Sequence, residues 1–182
     1  AATTARLVAA ELGLGVEIEP RLSERAFGVF QGTTAAERRA RHAELSDREA
    51  LREPQFALPG GGESRAAARA RGAEALADLL ARHTGGRVLV VTHSAMISTL
   101  VIGMLSVGPN PPDVRHFAVP NTAVNLFRWH NAGWQLVAWG DTGEFDLGRA
   151  GAAAPRLSRL ASHAAAVVLG AAIARWWLRR RT

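Results

Sequence analysis

The sequence predicts an α/β domain: a mostly parallel sheet with flanking helices and an antiparallel edge hairpin. Three observations carry that expectation. Residues 88–91 are an apolar run without polar alternation, the pattern of a strand buried on both faces in a parallel sheet. Alanine and leucine recur at helical spacing from Ser64 to about His83. The stretch NTAVNLFRWHNAGWQLVAW reads as two strands joined by a tight turn at 131–133.

The elements follow in order. Residues 3–12 form a helix with an apolar stripe of Leu7, Val8 and Leu12, stopped by Gly13 and Gly15. Residues 16–19 alternate as a short strand ended by Pro20, and residues 34–45, rich in arginine and glutamate, form an exposed helix. Residues 46–62 carry Pro54, Pro59 and three consecutive glycines, so this stretch is mostly loop. Ser64 caps the next helix, whose stripe runs through Ala68, Ala75, Leu76, Leu79 and Leu80. After the strand at 88–91, Ser94 stands as N-cap of a helix with Ile97, Leu100, Val101 and Met104 on its apolar face. Pro109, Pro111 and Pro112 make a loop before the hairpin strands, 123–129 and 134–139. No internal repeat is visible.

Composition narrows the function. A chain of 182 residues is long enough for one domain with an appendage. The absence of cysteine excludes disulfides, iron–sulfur clusters, thiolate zinc sites and thiol nucleophiles, and fits a reducing, cytoplasmic setting. All 16 acidic residues precede Arg149, against 15 arginines in the same stretch, whereas seven arginines and no acid lie from Arg149 onward. A nearly neutral body, 1–148, thus carries a basic, alanine-rich tail, 149–182, expected to be helical. That distribution is not the one-faced basic patch of a nucleic-acid reader. Lysine is absent altogether, which points to coding bias behind the arginine count. The six histidines show no ligand-like spacing, so neither a metal nor another cofactor is expected.

His93 is the informative histidine. It stands at the carboxyl end of the 88–91 strand, where open α/β sheets place their ligands. On that stretch alone, a hydrogen bond to a neighbouring loop explains it equally well. The other five, His42, His83, His116, His130 and His163, lie in polar or loop-like surroundings.

Four segments decide between the two. LSERAFGVFQG (22–32), PGGGES (59–64), VLVVTHS (88–94) and VPNTAVNLF (119–127) resemble, in order and spacing, the histidine phosphatase family of phosphoglycerate-mutase-like enzymes. The resemblance covers roughly residues 1–146. It implies a phosphoglycerate-mutase-like sheet and a phosphomonoesterase acting through a phosphohistidine on a small phosphorylated substrate. It implies that Glu24 is the acid/base that protonates the leaving oxygen and then activates water. It implies that His93 stabilises charge on the transferring phosphoryl group, with Ser94 and Asn121 lining the phosphate site. Gly28 and Gly32 serve backbone turns. Without the motif, Glu24 is a surface partner of Arg25; Arg71, seven residues after Ser64, stands where the family often has an arginine, yet reads as a solvated helix arginine.

The resemblance also shapes the expectation at the start of the chain. AATTA aligns with the end of a family stretch whose arginine binds phosphate, and the arginine–histidine–glycine strand end that supplies the nucleophile is not among these residues. The sheet is therefore expected to be incomplete, with strands left unpaired where that strand would run, and the chain alone inactive. Ser94 departs from the family's usual glycine, and Glu144–Phe145 from a histidine. The short interval between Gly32 and Pro59 favours a phosphatase over a mutase; a catalytically dead, phosphate-binding relative is the remaining alternative. The tail's apolar run, 164–174, is expected as a helix, read either as packing on the domain or another copy, or as lying on an acidic membrane surface.

Overall fold

The computed structural model describes residues 1–105, 117, 119–130, 133–142 and 166–170. Helix α1 (Ala2–Leu12) ends on Gly13 in the left-handed region, whose N–H closes on the last turn. Helices α2 (Ala35–Arg41) and α3 (Ala43–Ala50) replace the single helix expected at 34–45 and extend into the expected loop. The break is His42, at φ −143°, outside the helical region. Thr34 and Glu37 form a capping box that starts α2. Helix α4 (Arg65–Arg82) is capped by Ser64, whose hydroxyl accepts from Ala67 N–H, and it buries Ala68, Ala75, Leu76 and Leu79 of the expected stripe, with Gly72 buried beside them and Leu80 only half-buried. Strand β1 (Arg87–Val91) leads into α5 (Ser94–Met104), and β2 (Val124–His130) and β3 (Gly133–Asp141) form the expected hairpin. A fourth strand, β4, is Ala166–Gly170. The proline loop between α5 and the hairpin, the 131–133 turn tip and the Glu144–Phe145 departure lie outside the described residues, wholly or in large part.

The sheet order is β1-β4-β2-β3. β4 pairs parallel to β1, while the β4–β2 and β2–β3 pairs are antiparallel. The sheet is therefore mixed among the described residues, and the expected mostly parallel sheet is not seen there. One further expectation is corrected. Residues 166–170 are a strand rather than part of a helix, which interrupts the run 164–174. The physical reason is that strand edges carry unpaired N–H and C=O groups, and the stretch Ala-Val-Val-Leu-Gly satisfies those of β1 and β2 that face each other.

Residues 16–19 are not a strand. Val16 and Ile18 are both exposed, no ladder bond joins them to β1, and a cavity of about 540 Å³ separates them from it. Among the described residues β1 consequently has one unpaired edge, and only Val90 of its residues is buried, not the whole run. The main core lies where α4 and α5 pack on the sheet around Leu76, Met96, Leu100 and Phe127. Gly72 permits the close helix approach: a Cβ there would lie 2.6 Å from the Leu100 side chain. A second cluster of Phe30, Phe56 and Leu58 anchors the loops on either side of α2 and α3. Among the described residues, no helix is long and apolar enough to cross a membrane.

Candidate active site

The site begins with the chain between Pro20 and Gly28. A one-turn 3-10 helix, Pro20–Leu22, is capped by Glu19, which accepts from Arg21 N–H (3.0 Å) and from its guanidinium (2.9 and 2.7 Å). Those bonds from Arg21 hold the Glu19 carboxyl down at about 2. Leu22 is buried, and its carbonyl accepts the hydroxyl of buried Thr92 at 2.5 Å, tying this segment to the end of β1. Further on, Gly28 adopts φ +49°, and a Cβ there would lie 2.1 Å from the Pro59 carbonyl oxygen. Only glycine fits that approach, and across it Val29 N–H bonds Pro59 O and Glu63 N–H bonds Ala26 O. The LSERAFGVFQG and PGGGES segments are thus one structural unit.

Glu24 is half-buried, and its Oε1 accepts from Arg25 N–H at 2.9 Å; no other described group bonds its carboxylate. The alternative of a Glu24–Arg25 ion pair is not realised. The Arg25 side chain is buried, donates to Glu49 and to the Glu63 carbonyl, and stacks over Phe27 at 4.5 Å. Glu49 also takes Arg65 at 2.5 Å, so two arginines share one carboxylate oxygen. Burial, first of all, lowers the pKa of Arg65.

Arg71 is not the solvated helix arginine that its surroundings in sequence suggest. Its guanidinium bonds both oxygens of Glu63 (2.7 and 2.8 Å) and the carbonyls of Arg21 (2.6 Å), Ser23 (3.1 Å) and Glu24 (3.3 Å). The contact draws the Glu63 carboxyl below its ordinary value, chiefly through the Arg71 hydrogen bonds.

His93 is the N-cap of α5, in place of Ser94, which is the helix's first and exposed residue. The backbone decides this: His93 is extended at φ −116°, ψ 156°, and its carbonyl accepts from Ile97 N–H. Its half-buried imidazole makes no capping bond and has no hydrogen-bond partner among the described residues. Strand register places Asn121 at the same edge. Val91 pairs with Gly170, and Gly170 with Val124, so the chain leaving β1 and the chain entering β2 meet the same end of the sheet. Asn121 is exposed there, in a turn closed by Ala123 N–H to Pro120 O. His93 and Ser23 line one end of the cavity beside β1; Glu24 and Asn121 do not line it. Among the described residues, no group of three or more histidine, aspartate or glutamate side chains could hold a metal ion.

Sequence reasoning missed Thr92 and the Arg71–Glu63 pair. The glutamate of PGGGES precedes the cap of α4 and the arginine stands eight residues on, so helical spacing does not mark the pair, and nothing local marks Thr92.

The fold is thus mixed α/β, with His93 at a strand end, Glu24 on a segment tied to that strand through Leu22 and Thr92, and Asn121 at the same end of the sheet. The sequence profile of the histidine phosphatase superfamily (branch 1) matches residues 1–142, and the chain belongs to that superfamily. Phosphoglycerate mutase-like protein 4 of Arabidopsis thaliana is 30% identical over 145 residues, covering 79% of this chain; the chain spans 61% of that relative's length. The native mycobacterial glucosyl-3-phosphoglycerate phosphatase is 27% identical with a TM-score of 0.66, over 78% of this chain and 73% of that one. Its complex with inorganic phosphate is 28% identical with a TM-score of 0.63, over 76% and 70%.

Proposed function

We propose that the protein is a phosphomonoester hydrolase acting through a phosphohistidine, with Glu24 as its acid/base and His93 as a stabiliser of phosphoryl charge. One observation supports this above the others. The Thr92–Leu22 bond fastens the Glu24 segment to the strand end that carries His93, and each side chain keeps functional atoms without a protein partner among the described residues. The phosphate complex of the similar phosphatase agrees in kind.

In the proposed reaction a histidine nitrogen attacks phosphorus, the N–P bond forms and the ester P–O bond breaks. Glu24 gives its proton to the leaving oxygen, which departs as the alcohol. Water then attacks phosphorus and passes a proton to Glu24 as the N–P bond breaks, releasing inorganic phosphate. His93 donates to an equatorial oxygen, where charge accumulates, and the free N–H groups at the start of α5 add donors for the same anion, with Ser94 and Asn121 at its margin. None of the six histidines other than His93 stands in a matching family motif, and His93 belongs to the second-histidine motif. The 182 residues alone are therefore proposed to be inactive.

The test uses the full gene product. Glu24→Gln and His93→Ala should each lower turnover at least about 100-fold on an alkyl phosphate. Glu24→Gln should matter far less on p-nitrophenyl phosphate, whose leaving group hardly needs a proton. Acid-labile phosphate should be trapped on a histidine by rapid quench. Equal losses of Glu24→Gln on both substrates would remove Glu24 from the acid role.

A further inference from the structure

We propose that Arg71 is the positioning residue of Glu24: it holds the main chain that carries the carboxylate and is not a phosphate ligand. The inference rests on the acid/base role proposed for Glu24. A guanidinium has five N–H donors, and the five hydrogen bonds of Arg71 account for all of them. Nε donates to Glu63 Oε1, Nη2 to Glu63 Oε2 and the Glu24 carbonyl, and Nη1 to the carbonyls of Arg21 and Ser23. An arginine that grips phosphate presents two N–H groups as a fork, and Arg71 has no such pair free.

The acceptors show what the residue does. From residue 21 to residue 26, the carbonyls of Arg21, Ser23 and Glu24 take Arg71, that of Leu22 takes Thr92, and that of Ala26 takes Glu63 N–H. Past Ser23 this stretch has no helix or strand bonds of its own. Its shape is therefore imposed by tertiary donors, and most come from Arg71 and its counter-ion. The Glu24 carboxylate has only the adjacent Arg25 N–H to fix it, so its place follows the main chain. General acid transfer needs the donor within hydrogen-bond reach, and a displacement of about 1 Å costs on the order of 100-fold.

The experiment compares Arg71→Met, Arg71→Lys and Glu63→Gln with Glu24→Gln in the full gene product, on an alkyl phosphate and on p-nitrophenyl phosphate. Arg71→Met should lower kcat about 100-fold on the alkyl ester, much less on p-nitrophenyl phosphate, with KM little changed. Arg71→Lys, with three donors from one point instead of a planar fork, should recover part of the loss, and Glu63→Gln should show the same leaving-group pattern in milder form. Arg71→Met combined with Glu24→Gln should be no slower than Glu24→Gln alone. Trypsin should cut after the buried Arg25 in folded Arg71→Met but not in the parent. A raised KM at unchanged kcat would make Arg71 a phosphate ligand and overturn the proposal. So would equal losses on both substrates while Glu24→Gln stays selective, since that pattern is a general structural defect. If Glu24→Gln is itself unselective, the acid assignment fails first and takes the positioning role with it.

Discussion

Thr92→Val isolates the tie between the Glu24 segment and the end of β1. The Thr92 side chain is 3% exposed, and its hydroxyl donates to the buried Leu22 carbonyl at 2.5 Å. Valine has nearly the same shape, so packing around the site is preserved. Apolar burial and extended-chain preference both favour valine, by on the order of 1 kcal/mol together. Against that, the lost bond strands a buried carbonyl, at about 1–3 kcal/mol. The net expectation is a loss of up to about 2 kcal/mol, or up to roughly 8 °C in Tm for a chain of this size. Urea unfolding of parent and variant, followed by circular dichroism, measures it. The sign is decisive, because every term except the stranded carbonyl points the other way. A variant more stable than the parent would refute the claim that this bond holds the segment.

Gly28→Ala places a side chain at φ +49° and within 2.1 Å of a backbone oxygen, so unfolding should come at least about 2 kcal/mol earlier; a neutral result would mean the 26–29 and 59–63 loops slide apart freely. Glu19 ionises in the fold at about 2 rather than 4.5, so its contribution is fully present above pH 4.5 and is lost as pH falls towards 2. The urea-midpoint gap between the parent and Glu19→Gln should close over that window and shrink with salt, and a pH-independent gap would contradict the Arg21 contact. Deleting residues 149–182 removes β4 and bares the facing edges of β1 and β2, so the shortened chain should elute as aggregates in size exclusion. A stable monomer would show that β4 is dispensable to the sheet.

Much of the local structure was legible. Helix α4 has its cap, its stripe and its length written in consecutive residues, because a helix is stabilised by contacts three and four positions apart. The hairpin was readable from its strand patterns and turn, and the strand-end placement of His93 from the run before it. The motif order identified the family. What misled was burial inferred from a pattern: residues 16–19 alternate as a strand does, yet no described residue pairs with them, and one edge of β1 has no partner among the described residues.

The sequence by itself determined helices α1, α4 and α5, the turn at Gly28 and the family to which the chain belongs. Only the tertiary structure decided that a strand from the tail lies between β1 and β2, that Arg25 turns from Glu24 to Glu49, and that Arg71 reaches back some fifty residues to three carbonyls. Local signals survive in sequence because their partners lie within a turn of one another. Pairings across the fold depend on which unsatisfied donors and edges meet once the surfaces pack, and residue spacing carries no record of that meeting.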